Sequence, residues 1–81
     1  MSVAKLSASY IAGEGYSLDY EPEQNDIVPI MRGVNGMANV VLSAKWWLKD
    51  HNIKNADLYE PWGAIWEIRG CVAKRIEPSN F

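Results

Sequence analysis

Apolar and polar positions alternate along the first twenty residues: Leu6, Ala8 and Tyr10 with Ser7 and Ser9, then Tyr16, Leu18 and Tyr20 with Ser17 and Asp19. A period of two places each apolar set on one face of a strand. Between the two runs, Ala12-Gly13-Glu14-Gly15 supplies turn residues. The pattern predicts a β-hairpin with a loop of about four or five residues, in which Gly13 and Gly15 are free to take positive φ. Pro22 ends the second strand, because its nitrogen cannot donate to a ladder.

The period then changes. Ile30, Val34, Met37, Val41, Ala44 and Leu48 recur at spacings of four and three, which predicts one long amphipathic helix. Asn25 or Asp26 can cap it, and Pro29 fits its first turn, where a missing N–H costs nothing. It should end near residues 50–52, where Lys45, Lys49 and His51 suit the negative end of the dipole and Asn52 or Asn55 can take a left-handed cap. Gly33 and Gly36 weaken it by about 1 kcal/mol each. Both fall on one flank of the seam, which suggests close backbone packing there.

Residues 57–60 form a brief strand candidate, Pro61-Trp62-Gly63 breaks it, and residues 64–76 are rich in β-formers. Trp66, Ile68, Val72 and Ile76 share parity, which favours one long strand with a bulge at Gly70; a tight turn at Arg69-Gly70-Cys71 is the alternative. The element list predicts one α+β domain over residues 1–81. It is a small antiparallel sheet in the order β-β-α-β-β, with the helix packed on one face.

Length changes this picture little. At 81 residues and 48% hydrophobic content the chain supports one small core, and its four Trp and four Tyr supply much of the area to be buried. The lone cysteine, Cys71, has no intramolecular disulfide partner and reads as a small buried hydrophobe in a reducing compartment. Met1-Ser2-Val3-Ala4-Lys5 lacks the apolar run of a signal peptide, and no run approaches a membrane span. The expectation is a soluble, cytoplasmic protein with no membrane partner.

Charge is more informative. Between Leu6 and Met31 lie Glu14, Asp19, Glu21, Glu23 and Asp26 with no Lys or Arg, while every base except Lys5 lies from Arg32 onward. A one-signed stretch interleaved with aromatics suits a protein partner with a basic surface, because fields from clustered charges add. The bland alternative is a solvated strand face.

Catalytic chemistry finds no such footing. His51 is the only histidine, so no metal constellation forms with Cys71 at motif spacing, and Cys71 has no positioned base. Asp19, Glu21 and Glu67 are the carboxylates available for acid/base pairing, but a chain this short leaves little material for a cleft. Gly13-Glu14-Gly15 lacks the third glycine of a dinucleotide fingerprint. No enzyme activity, cofactor or metal is expected.

Two aromatics stand out instead. Trp46 points almost opposite the apolar seam, with Arg32, Asn35, Asn39 and Asp50, and such a residue either contacts a partner or a second copy, or packs under a misplaced loop. Trp62 is either a lid over the core edge or a contact residue. Lys45, Lys49, Lys54, Arg69, Lys74 and Arg75 could form a nucleic-acid groove, but a net charge of -2 leaves no large basic surface, and direct nucleic-acid binding is not expected.

In size, charge and fold class the chain resembles the small phage-encoded anti-defence proteins, of which anti-CRISPRs are the best known. The resemblance implies a non-enzymatic inhibitor that blocks a nucleic-acid-binding surface of a bacterial defence complex, by steric occlusion or by acidic mimicry. The expected partner-binding residues are Glu14, Asp19, Glu21, Glu23, Asp26, Trp46 and Trp62. The alternatives are a nucleic-acid-binding or accessory protein using the basic C-terminal half, and a structural subunit of a virion or other assembly.

Overall fold

The computed structural model describes residues 3–22, 24 and 26–78. The predicted hairpin is present: β1 (Ala4–Ile11) and β2 (Gly15–Tyr20) pair antiparallel, with Leu6 opposite Tyr20, Ala8 opposite Leu18 and Tyr10 opposite Tyr16. Its loop is three residues rather than four or five, closed by the Glu14 N–H donating to the Ile11 carbonyl at 2.9 Å.

The chain then departs from expectation. Residues 28–34 form a third strand, β3 (Val28–Val34), antiparallel to β2, and the helix α1 (Met37–Asp50) begins only after Gly36. Ile30 and Val34, four residues apart, share a face of a strand as readily as a face of a helix, so their spacing did not discriminate. β-branched Val28 and Ile30 favour the strand, while Gly33, at φ 69°, cannot continue a right-handed helix and lies where the β2–β3 register shifts. As an edge strand β3 tolerates Pro29, whose missing N–H need not meet a neighbour. The close backbone packing expected on a helix flank at Gly33 and Gly36 is not found there: a Cβ on Gly36 would meet open space and one on Gly33 would lie 3.7 Å from the Glu14 carbonyl oxygen, whereas at the β2–β3 contact a Cβ on Gly15 would lie 2.9 Å from the Val34 carbonyl oxygen. Gly15→Ala should therefore cost about 1 to 3 kcal/mol. Gly13→Ala, at similar φ but with open space around it, should cost less in the same thermal melts.

At the helix C-terminus Asn52 takes φ 57°, one of the two residues proposed for the left-handed cap. The Asn52 N–H donates to Lys49 at 3.2 Å and the Ile53 N–H to Leu48 at 2.9 Å, which is the Schellman pairing. The motif turns the chain toward β4 (Asn55–Tyr59), which lies beside β1 and parallel to it. A parallel neighbour requires such a crossover. β5 (Ile65–Arg69) and β6 (Val72–Ile76) follow as a hairpin with Gly70, at φ 63°, in its two-residue turn. The single bulged strand is thus replaced by a tight turn.

The turn also inverts the expected parity. Ile68 pairs with Ala73 and Trp66 with Arg75, so Val72 and Ile76 fall on the face opposite Ile68, and Val72 is 68% exposed. The architecture is a six-stranded mixed sheet, β3-β2-β1-β4-β5-β6, from a chain order β-β-β-α-β-β-β. The small antiparallel β-β-α-β-β sheet is corrected to this. One core joins Leu6, Leu18, Leu58 and Ile68 to the helix residues Val40, Ala44 and Leu48, and among the described residues the sheet's other face carries no helix.

Candidate functional site

The residues singled out from the sequence do not assemble into one surface. Asp19 and Glu21 share strand parity with Ser7 and Lys5, on the sheet face away from Leu6 and the helix. Both are already engaged: Arg32 pairs with Asp19 at 3.0 Å, the Ser7 hydroxyl donates to Glu21, and Lys5 lies 3.5 Å from Glu21. Glu14 is exposed in the β1–β2 loop and Asp26 is exposed ahead of β3. Glu23 lies outside the described residues.

Trp62, in the β4–β5 loop, is 62% exposed and stands 5.9 Å from the Tyr10 ring, which in turn contacts Tyr16 at 4.8 Å. Nearby in sequence, Glu60 is the sole buried charged residue among those described. It accepts from Trp66 Nε1 at 2.6 Å and from Arg75 Nε and Nη2 at 2.7 and 3.1 Å. The Arg75 hydrogen bonds hold the Glu60 carboxyl below the usual range, against desolvation, with Trp66 assisting. Every charge in this cluster has its partner, so it reads as a structural tie between the β4 end and β6.

Trp46 is the residue with an unexplained environment. It is 59% exposed on the outer side of α1. Leu42, one turn earlier, is 52% exposed, so the helix carries a second apolar stripe outside its core seam. This stripe forms one wall of a groove of about 400 Å³ whose far side is Ile53 and the hairpin tip at Gly70 and Cys71. The tip is held there by the Gly70 N–H donating to the Lys54 carbonyl at 2.7 Å, and the Schellman turn fixes Ile53. Backbone hydrogen bonds thus position the loop and hairpin-tip side of the groove.

Three lysines, Lys45, Lys49 and Lys54, line the same groove. Lys49 Nζ stands 5.7 Å from the Trp46 ring centre. None of the three makes a salt bridge within the described residues, whereas Arg69 is paired with Asp57 and Arg75 with Glu60 and Glu77. Half of the predicted basic set therefore gathers around Trp46, and two of the others are spent on internal pairs.

Leu42 and Ile53 were missed from sequence. Leu42 precedes Trp46 by four residues and was legible as a second stripe; Ile53 follows the helix and had no periodic signal. Cys71 is exposed at the groove rim, not the small buried hydrophobe expected. His51 stacks on Trp47 at 4.0 Å, with its Nδ1 2.9 Å from the Trp47 carbonyl, as a helix-terminal residue. Among the described residues no three of His, Cys, Asp and Glu gather into a potential metal site, and no helix is long and apolar enough to cross a membrane. No family model, no curated protein and no solved structure matches the chain.

Proposed function

We propose that this chain is a non-enzymatic protein-binding module, an inhibitor of the anti-defence kind, that docks on its target through the groove around Trp46. The observation that carries the reading is a half-exposed tryptophan on α1 beside an apolar groove. Trp is among the commonest binding hot spots, and an uncovered ring of this size is otherwise unfavourable in water. Of the two modes of inhibition, steric occlusion has the better support. Mimicry needs unneutralised carboxylates in a row, and Asp19 and Glu21 already share their charge with Arg32 and Lys5.

A pull-down from bacterial lysate tests this reading. Wild type should retain a specific protein that Trp46→Ala does not. The same substitution should change stability by no more than about 1 kcal/mol, as exposed positions do. Equal retention by both proteins would remove the groove from the function.

A second reading, a nucleic-acid-binding accessory protein, is favoured by the gathering of Lys45, Lys49 and Lys54 beside one aromatic ring. It requires affinity for an oligonucleotide that falls steeply with salt, because phosphate contacts release counterions.

A further inference from the structure

Resting on the docking reading, we infer that the occupant of the Trp46 groove is an acidic amphipathic peptide segment of a partner protein. Its large apolar side chain enters between Leu42, Trp46 and Ile53, and its flanking carboxylates meet Lys45, Lys49 and Lys54.

Two properties of the groove select this chemistry. Its lining surface is mainly apolar, so an apolar group is favoured to enter, and its volume of about 400 Å³ seats a bulky side chain. Its rim carries three lysines with no salt-bridge partner within the described residues, so the entering group is best flanked by negative charge. Asp50, the nearest acid along the helix, does not line the groove. An acidic amphipathic segment satisfies both demands at once: apolar burial supplies affinity, and the lysines supply orientation and encounter rate.

Single-stranded nucleic acid fits less well. It needs successive aromatic platforms along a basic track, and here a single aromatic ring lines the groove of a protein of net charge -2. A second copy is a weaker occupant through its β1–β2 sheet face, where Asp19 and Glu21 are already paired.

The test selects binders from a phage-displayed library of random peptides about 15 residues long, four helical turns, on the intact wild-type protein. Enriched peptides should combine Asp or Glu with one or more Leu, Ile, Phe or Trp. Their synthetic forms should slow alkylation of Cys71, which lies at the rim. Trp46→Ala should weaken them about 30-fold, the loss of a hot spot. A Lys45→Glu, Lys49→Glu, Lys54→Glu triple variant should lower their association rate about tenfold, and added salt should lower the wild-type rate.

Each other outcome overturns a distinct statement. Enriched peptides that need Trp46 but carry no acidic bias, or that bind the triple variant at the wild-type rate, refute the acidic occupant and leave protein docking intact. Peptides indifferent to Trp46→Ala refute the groove and the docking reading with it. A dT oligonucleotide of about 16 nucleotides that outcompetes the peptides and depends on Trp46 replaces the peptide with nucleic acid.

Discussion

Leu58→Ala should destabilise the domain by about 2 to 5 kcal/mol, enough to leave a chain of this size largely unfolded at moderate temperature. Leu58 is fully buried on β4, opposite Leu6 of β1 on one side and Trp66 of β5 on the other. β4 is where the crossover joins the hairpin half of the sheet to the C-terminal half, so a cavity there loosens both sides. The cost combines lost transfer energy with the cavity left between neighbours that relax only partly. Val72→Ala, which removes a smaller apolar group from an exposed site on edge strand β6, should stay within about 0.5 kcal/mol. Urea denaturation followed by tryptophan fluorescence measures both. Similar midpoints for the two variants would show that β4 is not the centre of the core.

Glu60→Gln should cost about 1 to 3 kcal/mol at neutral pH and should also flatten the acid limb of the stability profile. Glu60 has only 3% of its side chain exposed, and its charge is held by Arg75 and Trp66. Its folded pKa lies below the ordinary value of 4.5, chiefly through the Arg75 hydrogen bonds. A depressed carboxylate pKa contributes stability that is present above the unfolded value and lost as pH falls through the folded one. Wild-type stability should thus decline below about pH 4.5 in part because Glu60 takes up a proton. Glutamine cannot ionise, so the difference between variant and wild type should be largest at neutral pH and shrink on acidification. Chemical denaturation at a series of pH values reads this directly. A difference independent of pH would mean that shape rather than charge is what Glu60 contributes.

Several features were legible because they depend on neighbours close in the chain. The β1–β2 hairpin follows from strict alternation around a glycine loop. The left-handed residue ending α1 follows from an asparagine just past the last seam position. The exposure of Trp46 follows from helical phase alone, since residues 37–50 do form the helix in which that phase was counted. Each needs only the geometry of one element.

What failed depended on which distant residues meet. Ile30 and Val34 obey a spacing that both periods allow, and only the presence of β2 alongside, with Gly15 against Val34, makes their segment a strand. Gly70 suits a bulge or a turn, and the antiparallel pairing of Arg69 with Val72 across it makes it a turn. The acidic stretch looks one-signed in linear order, yet Lys5 and Arg32 return across the sheet to pair with it, so its field is partly cancelled.

By itself the sequence determined a small α+β domain with a β-hairpin, one amphipathic helix and an uncovered tryptophan on that helix's outer side. Tertiary structure alone decided the third strand, the mixed sheet and the groove, where Lys45, Lys49, Lys54, Ile53 and Cys71 converge on Trp46 from a helix, a loop and a hairpin tip. The physical reason is range. Periodicity and capping are set within a few residues, while strand pairing, charge neutralisation and the walls of a binding groove are set by contacts between residues far apart in the chain, which linear order does not encode locally.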